Sequence, residues 1–166
     1  MHVSRVAAAG LLIVAASAAG AQGSPAPRGV EALGDVVGVW QSDTTNGASA
    51  LTSCVWTPQH SGVLCEQTVT TPSAVLHALN LYTFDPATGR YTYYGVTQPG
   101  QPVRPVPITI DGHLWFYGGA TPDQGGTYRR TVNDFSARDS YTWRQESSSD
   151  GTHWTAGAHG GSRRVR

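Results

Sequence analysis

The sequence contains no lysine, so its basic residues are eleven arginines, and eleven acidic residues balance them to a formal net charge of +0. The arginines are scattered along the chain and form neither a patch nor a stripe. Nucleic-acid binding and recruitment to an anionic membrane surface both need clustered positive charge. Neither nucleic acid nor an anionic membrane surface is therefore an expected partner.

Signatures of catalysis and of metal binding are also absent. There is no Gly-x-Ser-x-Gly elbow, no Gly-rich phosphate loop and no pair of carboxylates on one strand. The histidines lack the His-x-His or His-x-x-x-His spacing of metal sites. Those beyond the N-terminus are His60, His77, His113, His153 and His159. The sequence consequently predicts no catalytic residue, no metal site and no cofactor.

The N-terminus has the pattern of a secretory signal peptide. An apolar run over residues 7–19 follows Arg5, and the small residues Ala19 and Ala21 mark a cleavage site. The run is shorter than the ~20 residues that span a bilayer, and no later segment is long and apolar enough. We expect a periplasmic or secreted protein whose mature chain has no integral membrane segment. The predicted organisation is a signal peptide over 1–21, a flexible leader over 22–33 and one domain over 34–166.

Only two cysteines are present, Cys54 and Cys65, and a turn signal at residues 57–62 separates them. They therefore lie on opposite arms of one hairpin, and pairing them directly places Trp56 opposite Val63. Directly opposed residues are near enough for a disulfide, which an exported protein favours. We predict a structural Cys54–Cys65 bridge. The alternative of a redox role has no Cys-x-x-Cys spacing to support it.

Helix signals are nearly absent, apart from a short turn at residues 30–37. From Gly38 onward, runs rich in Val, Thr and Tyr alternate with turn residues every 8 to 12 positions. The clearest hairpin spans residues 79–94, where Pro86 and Gly89 form the turn. Sequential hairpins favour an up-and-down barrel, because closure removes exposed strand edges. The predicted fold is all-β, a single antiparallel up-and-down β-barrel of 8–10 strands.

Three motifs occur in order along this domain: Gly-Val-Trp at residues 38–40, the Tyr-x-Phe-Asp-x-x-Thr-Gly-x-Tyr hairpin at 82–91, and Ser-Asp-Gly-Thr-His-Trp-Thr at 149–155. Together they resemble bacterial lipocalin-like (calycin-type) β-barrel domain proteins of uncharacterised function. The resemblance covers most of residues 34–165. It implies a barrel that encloses a small cavity, and it implies no particular reaction. The Pro-rich segment 98–107 lies outside this pattern.

Turn positions predict which side chains face inward, since register decides the face of each residue. In the hairpin over residues 79–94, Tyr82 should pair with Tyr93, and Asn80 with Gly95. These residues and their neighbours Phe84 and Tyr91 would form an inward wall, with the open end of a cavity near Gly95. The opposite face, which carries Leu81, Thr83, Thr92 and Tyr94, is the alternative.

Two further turns give similar predictions. Asp-Gly at residues 111–112 pairs Ile108 with Trp115 and leaves His113 at a rim of the barrel. Asp-Gly at residues 150–151 pairs Trp143 with Ala158 and turns Trp143 inward. The remaining predicted pairs are Ile110 with His113, Val106 with Tyr117, Gln145 with Ala156 and Ser147 with Trp154.

Arg130 shares a strand face with Tyr128 and Val132, and we predict that it points inward. A charge inside a barrel is costly unless it is paired. Arg130 would therefore hold a ligand carboxylate or phosphate, or form a salt bridge with Glu66. Arg144 and Glu146 are expected on the solvated face.

An aromatic cavity with few polar groups is typical of small-molecule sites, so the expected function is binding of an apolar or aromatic ligand. The alternative is a barrel filled by its own side chains, serving as a structural or partner-binding module of the cell envelope. Less favoured are a haem on His113 and a small hydrolase or isomerase with His113 beside Arg130 or Glu66. The oligomeric state is open. The predicted ligand-binding residues are Trp56, Asn80, Tyr82, Tyr93, His113, Trp115, Arg130 and Trp143.

Overall fold

The computed structural model describes residues 29–44, 47–96 and 103–165. These residues form ten antiparallel strands, which are β1 (Gly38–Thr44), β2 (Ser49–Trp56), β3 (Gly62–Thr70), β4 (Val75–Asp85), β5 (Arg90–Val96), β6 (Pro105–Asp111), β7 (Leu114–Pro122), β8 (Tyr128–Asp134), β9 (Ser140–Ser148) and β10 (Thr155–Arg164). Each strand pairs with its neighbours in sequence, and β10 closes the barrel against β1. The predicted all-β up-and-down barrel is confirmed. The predicted signal peptide lies outside the described residues.

A 3₁₀ helix over Val30–Val36 covers one end of the barrel, which we call the closed end. Leu33 and Val36 on this helix are buried in the core. The Nε1 of Trp40 donates a hydrogen bond of 2.8 Å to the Val36 carbonyl and so ties the helix to β1. Residues 30–33, which the sequence assigns to the leader, belong to this helix. So short a segment has little intrinsic tendency to form a helix, and the burial of its apolar side chains stabilises it.

The opposite end, which we call the open end, carries the loops 71–74, 123–127 and 149–154. The strand directions place these three loops together, because adjacent strands run antiparallel around the barrel. No helix covers this end in the part of the chain that the structure describes.

The predicted disulfide is present between Cys54 on β2 and Cys65 on β3, with a Cα–Cα distance of 4.0 Å. The two cysteines are directly paired, and Trp56 lies opposite Val63 as predicted. Both cysteines are buried in the core beside the 3₁₀ helix. The bridge thus fastens the wall of the barrel to which the helix is packed.

The register of the β4–β5 hairpin is confirmed at each of the predicted pairs. The turn is stabilised by Asp85, whose carboxylate accepts hydrogen bonds from the Ala87 backbone N–H and the Thr88 hydroxyl. Asn80 and Tyr91 are buried on the inward face. The face chosen from the sequence is therefore the correct one.

The β6–β7 register differs from the prediction by two residues. The turn consists of Gly112 and His113, so Ile108 pairs with Tyr117 and Ile110 with Trp115. Gly112 has a φ of +58°, which suits the first position of a two-residue hairpin turn. Because the shift is even, the faces of β7 are unchanged. The predicted pairs of Val106 with Tyr117 and of Ile110 with His113 are accordingly wrong.

The β9–β10 register is also wrong in the prediction, because the turn is longer than two residues. The Asp150 carboxylate accepts hydrogen bonds from the backbone N–H groups of Thr152 and His153, which extends the turn as far as Trp154. Pairing resumes with Thr155 opposite Ser147, and a bulge follows. The pairs replaced in this way are Ser147–Trp154, Gln145–Ala156 and Trp143–Ala158, and Trp143 lies opposite Gly160 instead.

Candidate functional site

An inner chamber of about 250 Å³ lies in the middle of the barrel, next to the closed end. Three residues on neighbouring strands, Asn80, Tyr82 and Tyr93, contribute to its wall and were predicted ligand-binding residues. None of the described side chains that line this chamber is charged. Polar side chains nevertheless make up much of the wall, among them Thr52, Gln67, Thr131 and Asn133.

Three tyrosines, Tyr82, Tyr93 and Tyr117, form the aromatic part of the inner chamber. Their ring centroids lie 5.3 Å apart between Tyr82 and Tyr93, 6.3 Å between Tyr82 and Tyr117, and 5.9 Å between Tyr93 and Tyr117. Burial raises the pKa of Tyr82 and of Tyr117 well above the ordinary value, with a further contribution from the neighbouring tyrosines. Burial also raises the pKa of Tyr93. The phenols therefore stay protonated at neutral pH and act as hydrogen-bonding groups rather than as bases.

The polar groups of the chamber are linked by hydrogen bonds. The Tyr93 hydroxyl donates to Asn80 Oδ1 at 2.7 Å, and Asn133 Nδ2 donates to the Tyr117 oxygen at 3.3 Å. These bonds use one donor or acceptor of each amide and leave the rest for a ligand or water. The inner chamber is thus equipped to bind a molecule that has both an aromatic surface and hydrogen-bonding groups.

An outer chamber of about 530 Å³ lies at the open end, between β6 and β10. It shares Tyr117 and Thr131 with the inner chamber, so the two chambers meet at these side chains. A bulge in β7 widens the wall here, where Gly118 and Gly119 have φ values of +82° and +85°. Glycine accepts such values without strain, and bulges at barrel rims commonly shape an opening.

The sequence predicts the open end of a cavity beside the Asn80–Gly95 pair, and Gly95 lies one residue before β5 ends at the open end of the barrel. The Tyr93 hydroxyl lies 2.7 Å from the position that a Cβ on Gly95 would take. Because Gly95 has no side chain, the ring of Tyr93 occupies the space beside its Cα. Asn80 lines the inner chamber, whereas the outer chamber is lined by residues of the strands β6 to β10.

Arg130 faces outward, contrary to the prediction, because Thr131 and Asn133 are the residues of β8 that line the interior. Its Nε donates to Glu146 at 2.6 Å, and Glu66 takes no part in this ion pair. The guanidinium lies 3.9 Å from the ring centroid of Trp154 and 4.9 Å from that of Phe116. The segment of β8 around Arg130 lines the outer chamber, while the guanidinium packs against Phe116 and Trp154.

Glu146 is shared by two arginines, since Arg144 Nε also donates to it at 2.6 Å. Its side chain is only 8% exposed. Burial acts to raise the pKa of Glu146, but the hydrogen bonds and charges of Arg144 and Arg130 outweigh it, and the pKa lies below the ordinary value. Arg144 and Glu146 lie on the outer face as predicted, but only Arg144, 38% exposed, is solvated, while Glu146 is covered.

The remaining predicted ligand-binding residues are not among those that line either chamber. Trp56 stacks on His60 at a centroid distance of 3.7 Å and packs against the core at the closed end. Trp115 is fully buried in that core, and its Nε1 has no hydrogen-bond partner among the described residues. His113 is in the β6–β7 turn, 56% exposed and 3.6 Å from Asp134. Trp143 is half-buried and, as predicted, faces inward, since it shares a face of β9 with Tyr141 and pairs with Asn133.

The sequence analysis missed the contribution of β8 and β9 to the inner chamber. Thr131 and Asn133 alternate with Arg130 and Val132, and the face with Val132 looked like the inward one because it carries an apolar residue. The sequence did contain one indication of the correct face, because the polar residues Thr131 and Asn133 occupy alternate positions of this strand. Tyr141 on β9 also lines the chamber and was not among the predicted residues.

No group of histidines, cysteines and carboxylates suited to a metal ion is found among the described residues. Within the same ranges, no helix is long and apolar enough to cross a membrane. Comparison of the sequence with models of known protein families gives no match. Comparison with curated proteins gives no match either.

Proposed function

We propose that this protein is a lipocalin-like, exported barrel that binds a small, largely aromatic molecule in its two chambers. The observation that carries the proposal is the meeting of the inner and outer chambers at Tyr117 and Thr131, inside a barrel whose other end is covered. Ligand sites in proteins are concave, largely pre-formed and of comparable volume. The disulfide suits an oxidising compartment, in agreement with export.

The lining favours a ligand with a flat apolar body and a few hydrogen-bonding groups. The rings of Tyr82, Tyr93 and Tyr117 offer faces and edges against which an aromatic ring packs well. Asn80 and Asn133 offer amide groups next to these rings. A purely aliphatic ligand would leave those amides without partners after displacing water, which costs free energy.

The two alternatives receive less support. A barrel that serves only as a structural or partner-binding module needs no interior space, whereas two chambers are present. An acid–base site at His113 would need Arg130 or Glu66 beside it. His113 is at the closed end and pairs with Asp134, while Arg130 is near the open end and pairs with Glu146.

A matched pair of variants tests the proposal with the neutral fluorescent probe N-phenyl-1-naphthylamine. Thr131→Phe places a ring where the chambers meet, and Thr142→Phe places the same ring on the exposed outer face of β9. We expect the wild type and Thr142→Phe to bind the probe and Thr131→Phe to lose binding at an unchanged melting temperature. Native mass spectrometry of protein from its own host would show a co-purified ligand. Absence of probe binding to the wild type would count against a binding function.

A further inference from the structure

We infer that the ligand of the inner chamber is a neutral molecule of one or two rings with a carbonyl group next to an N–H group, as in a lactam. Asn80 donates a hydrogen bond to the carbonyl oxygen of this ligand, and Gln67 accepts one from its N–H. The inference rests on the proposed function, because it names the chemical class and the orientation of the molecule bound there.

Asn80 presents an unused donor to the inner chamber. The residue is 4% exposed, and its Oδ1 accepts the Tyr93 hydroxyl at 2.7 Å, while its Nδ2 has no partner among the described residues. Within the same ranges, Trp115 Nε1 is the one side-chain nitrogen or oxygen that is both sealed from solvent and unpaired. The Nδ2 of Asn80 is therefore not sealed. Because Asn80 lines the inner chamber, the open space that this nitrogen reaches is the chamber itself.

Gln67 presents an unused acceptor close to this donor. Its Nε2 donates to Thr52 Oγ1 at 3.1 Å, and its Oε1 accepts no hydrogen bond from the described residues. Cys65 of β3 pairs with Asn80 of β4, so Gln67 is the diagonal neighbour of Asn80 on the inward face. Diagonal neighbours on one face are within reach of long side chains. Asn80 and Gln67 also line the same chamber.

A donor beside an acceptor is complementary to a ligand group that has an acceptor beside a donor. The amide of a lactam has this arrangement, since its C=O and N–H are adjacent and lie in one plane. The hydrogen bonds from Tyr93 and to Thr52 hold the other ends of the two protein amides, so both side chains are ordered before a ligand arrives. Binding consequently has a low entropic cost. A ligand without one of the two groups leaves a polar atom of the wall unpaired, which lowers its affinity.

The volume and the charge of the inner chamber limit the ligand further. Its volume of about 250 Å³ is below the range of roughly 300–1,000 Å³ that is usual for drug-sized ligands. One or two rings are therefore favoured, and they pack against Tyr82 and Tyr117. None of the described side chains that line the chamber is charged, so an ionised ligand would have no counter-charge there.

Two ligands of nearly equal shape test the inference. One is the lactam 2-quinolinone, and the other is coumarin, in which an oxygen atom replaces the N–H. Both are neutral and both have the carbonyl group. Isothermal titration calorimetry gives the dissociation constant of each ligand for the wild-type protein. We expect 2-quinolinone to bind about tenfold more tightly, because the ring oxygen of coumarin would face Gln67 Oε1 with no proton between them.

A matched pair of variants assigns this preference to Gln67. Gln67→Met removes the acceptor and nearly preserves the length of the side chain. Gln41→Met makes the same change on the outer face of β1, where Gln41 pairs with Leu51. In Gln67→Met the two ligands should bind equally, whereas in Gln41→Met the preference of about tenfold for 2-quinolinone should remain.

A double variant, Asn80→Leu with Tyr93→Phe, tests the donor. It replaces both partners of the Tyr93–Asn80 hydrogen bond with apolar groups of similar shape, so no buried oxygen is left without its donor. Both ligands have the carbonyl group that Asn80 binds. We therefore expect both to bind about tenfold more weakly to this variant, with the preference for 2-quinolinone retained. The melting temperature of each variant is measured first, and the comparison of the two ligands on the wild type needs no variant.

Equal binding of 2-quinolinone and coumarin by the wild type would overturn the inference and leave the proposed function intact. So would binding of N-phenyl-1-naphthylamine without binding of either ligand. An equal effect of Gln67→Met and Gln41→Met on the preference would overturn the role of Gln67 and the inference with it. If the wild type binds neither the probe nor the two ligands, the proposed function and this inference both fail.

Discussion

The phenol of Tyr93 donates a hydrogen bond of 2.7 Å to Asn80 Oδ1, across two strands whose register places Asn80 opposite Gly95. The lack of a side chain at Gly95 lets the ring of Tyr93 turn back along its own strand to make this bond. Asn80 is buried, so its carbonyl oxygen depends on this donor. One glycine thus positions both an aromatic wall and a polar group of the inner chamber.

Replacing Tyr93 with Phe should destabilise the protein by about 1–3 kcal/mol, because a buried amide oxygen loses its donor. The control is Tyr94→Phe, which removes a hydroxyl from the neighbouring residue on the outer face. Urea unfolding monitored by circular dichroism gives the two free energies of unfolding. Equal losses in the two variants would contradict the role assigned to the Tyr93–Asn80 bond.

Removing the disulfide should cost about 2–3 kcal/mol, since the bridge closes a loop with a sequence separation of 11 residues in the unfolded chain. The variant is Cys54→Ala with Cys65→Ala, compared with the wild type in the oxidised and the reduced state. Reductant should lower the urea midpoint of the wild type and leave that of the variant unchanged. A wild type insensitive to reductant would mean that the bridge adds no stability.

Glu146→Gln should flatten the dependence of stability on pH. The pKa of Glu146 is lower in the folded state than its ordinary value of 4.5, so the group contributes stability above pH 4.5 that is lost as pH falls through the folded pKa. The wild type should therefore lose more stability than Glu146→Gln between pH 5 and pH 3. The measurement is the urea midpoint at each pH. Glu66→Gln, on the exposed outer face of β3, serves as the control and should follow the wild type.

Asp150→Ala should loosen the turn that presents Trp154 to Arg130. The Asp150 carboxylate accepts hydrogen bonds from the His153 and Thr152 backbone, which hold its pKa well below the usual range. Amide hydrogen exchange should become faster in residues 149–154, while exchange in β4 and β5 should not change. Uniform acceleration over the whole barrel would instead indicate global destabilisation.

The parts of the fold that were predictable from sequence are those in which a turn determines its own geometry. The Cys54–Cys65 hairpin and the hairpin with Pro86 and Gly89 have the predicted pairs. The β6–β7 and β9–β10 turns do not, because the Asp-Gly dipeptide does not occupy the two central turn positions in either case. At Asp150, side-chain hydrogen bonds lengthen the turn, and a dipeptide signal contains no information about that.

The candidate site was predictable only in part, because one strand face was assigned wrongly. On β8, the apolar residue Val132 is fully buried on the outer face, next to Phe116, while Thr131 and Asn133 face the interior. The rule that apolar residues face inward fails where the outer face is itself covered. Trp154 lies over that face and reaches Arg130 from a loop, which strand periodicity alone does not predict.

The seam between β1 and β10 has a consequence for how the barrel folds. All other described strand pairs join segments that follow one another in the chain, whereas Ser42 and Ser162 meet across 120 residues with a hydroxyl–hydroxyl distance of 2.5 Å. Hairpins assemble quickly because their loops are short, and a contact of such high sequence separation carries the largest loop-closure entropy. Formation of this seam is therefore expected to limit the folding rate. Substitutions at Ser42 should therefore slow folding, and so should substitutions in hairpins that form before the seam.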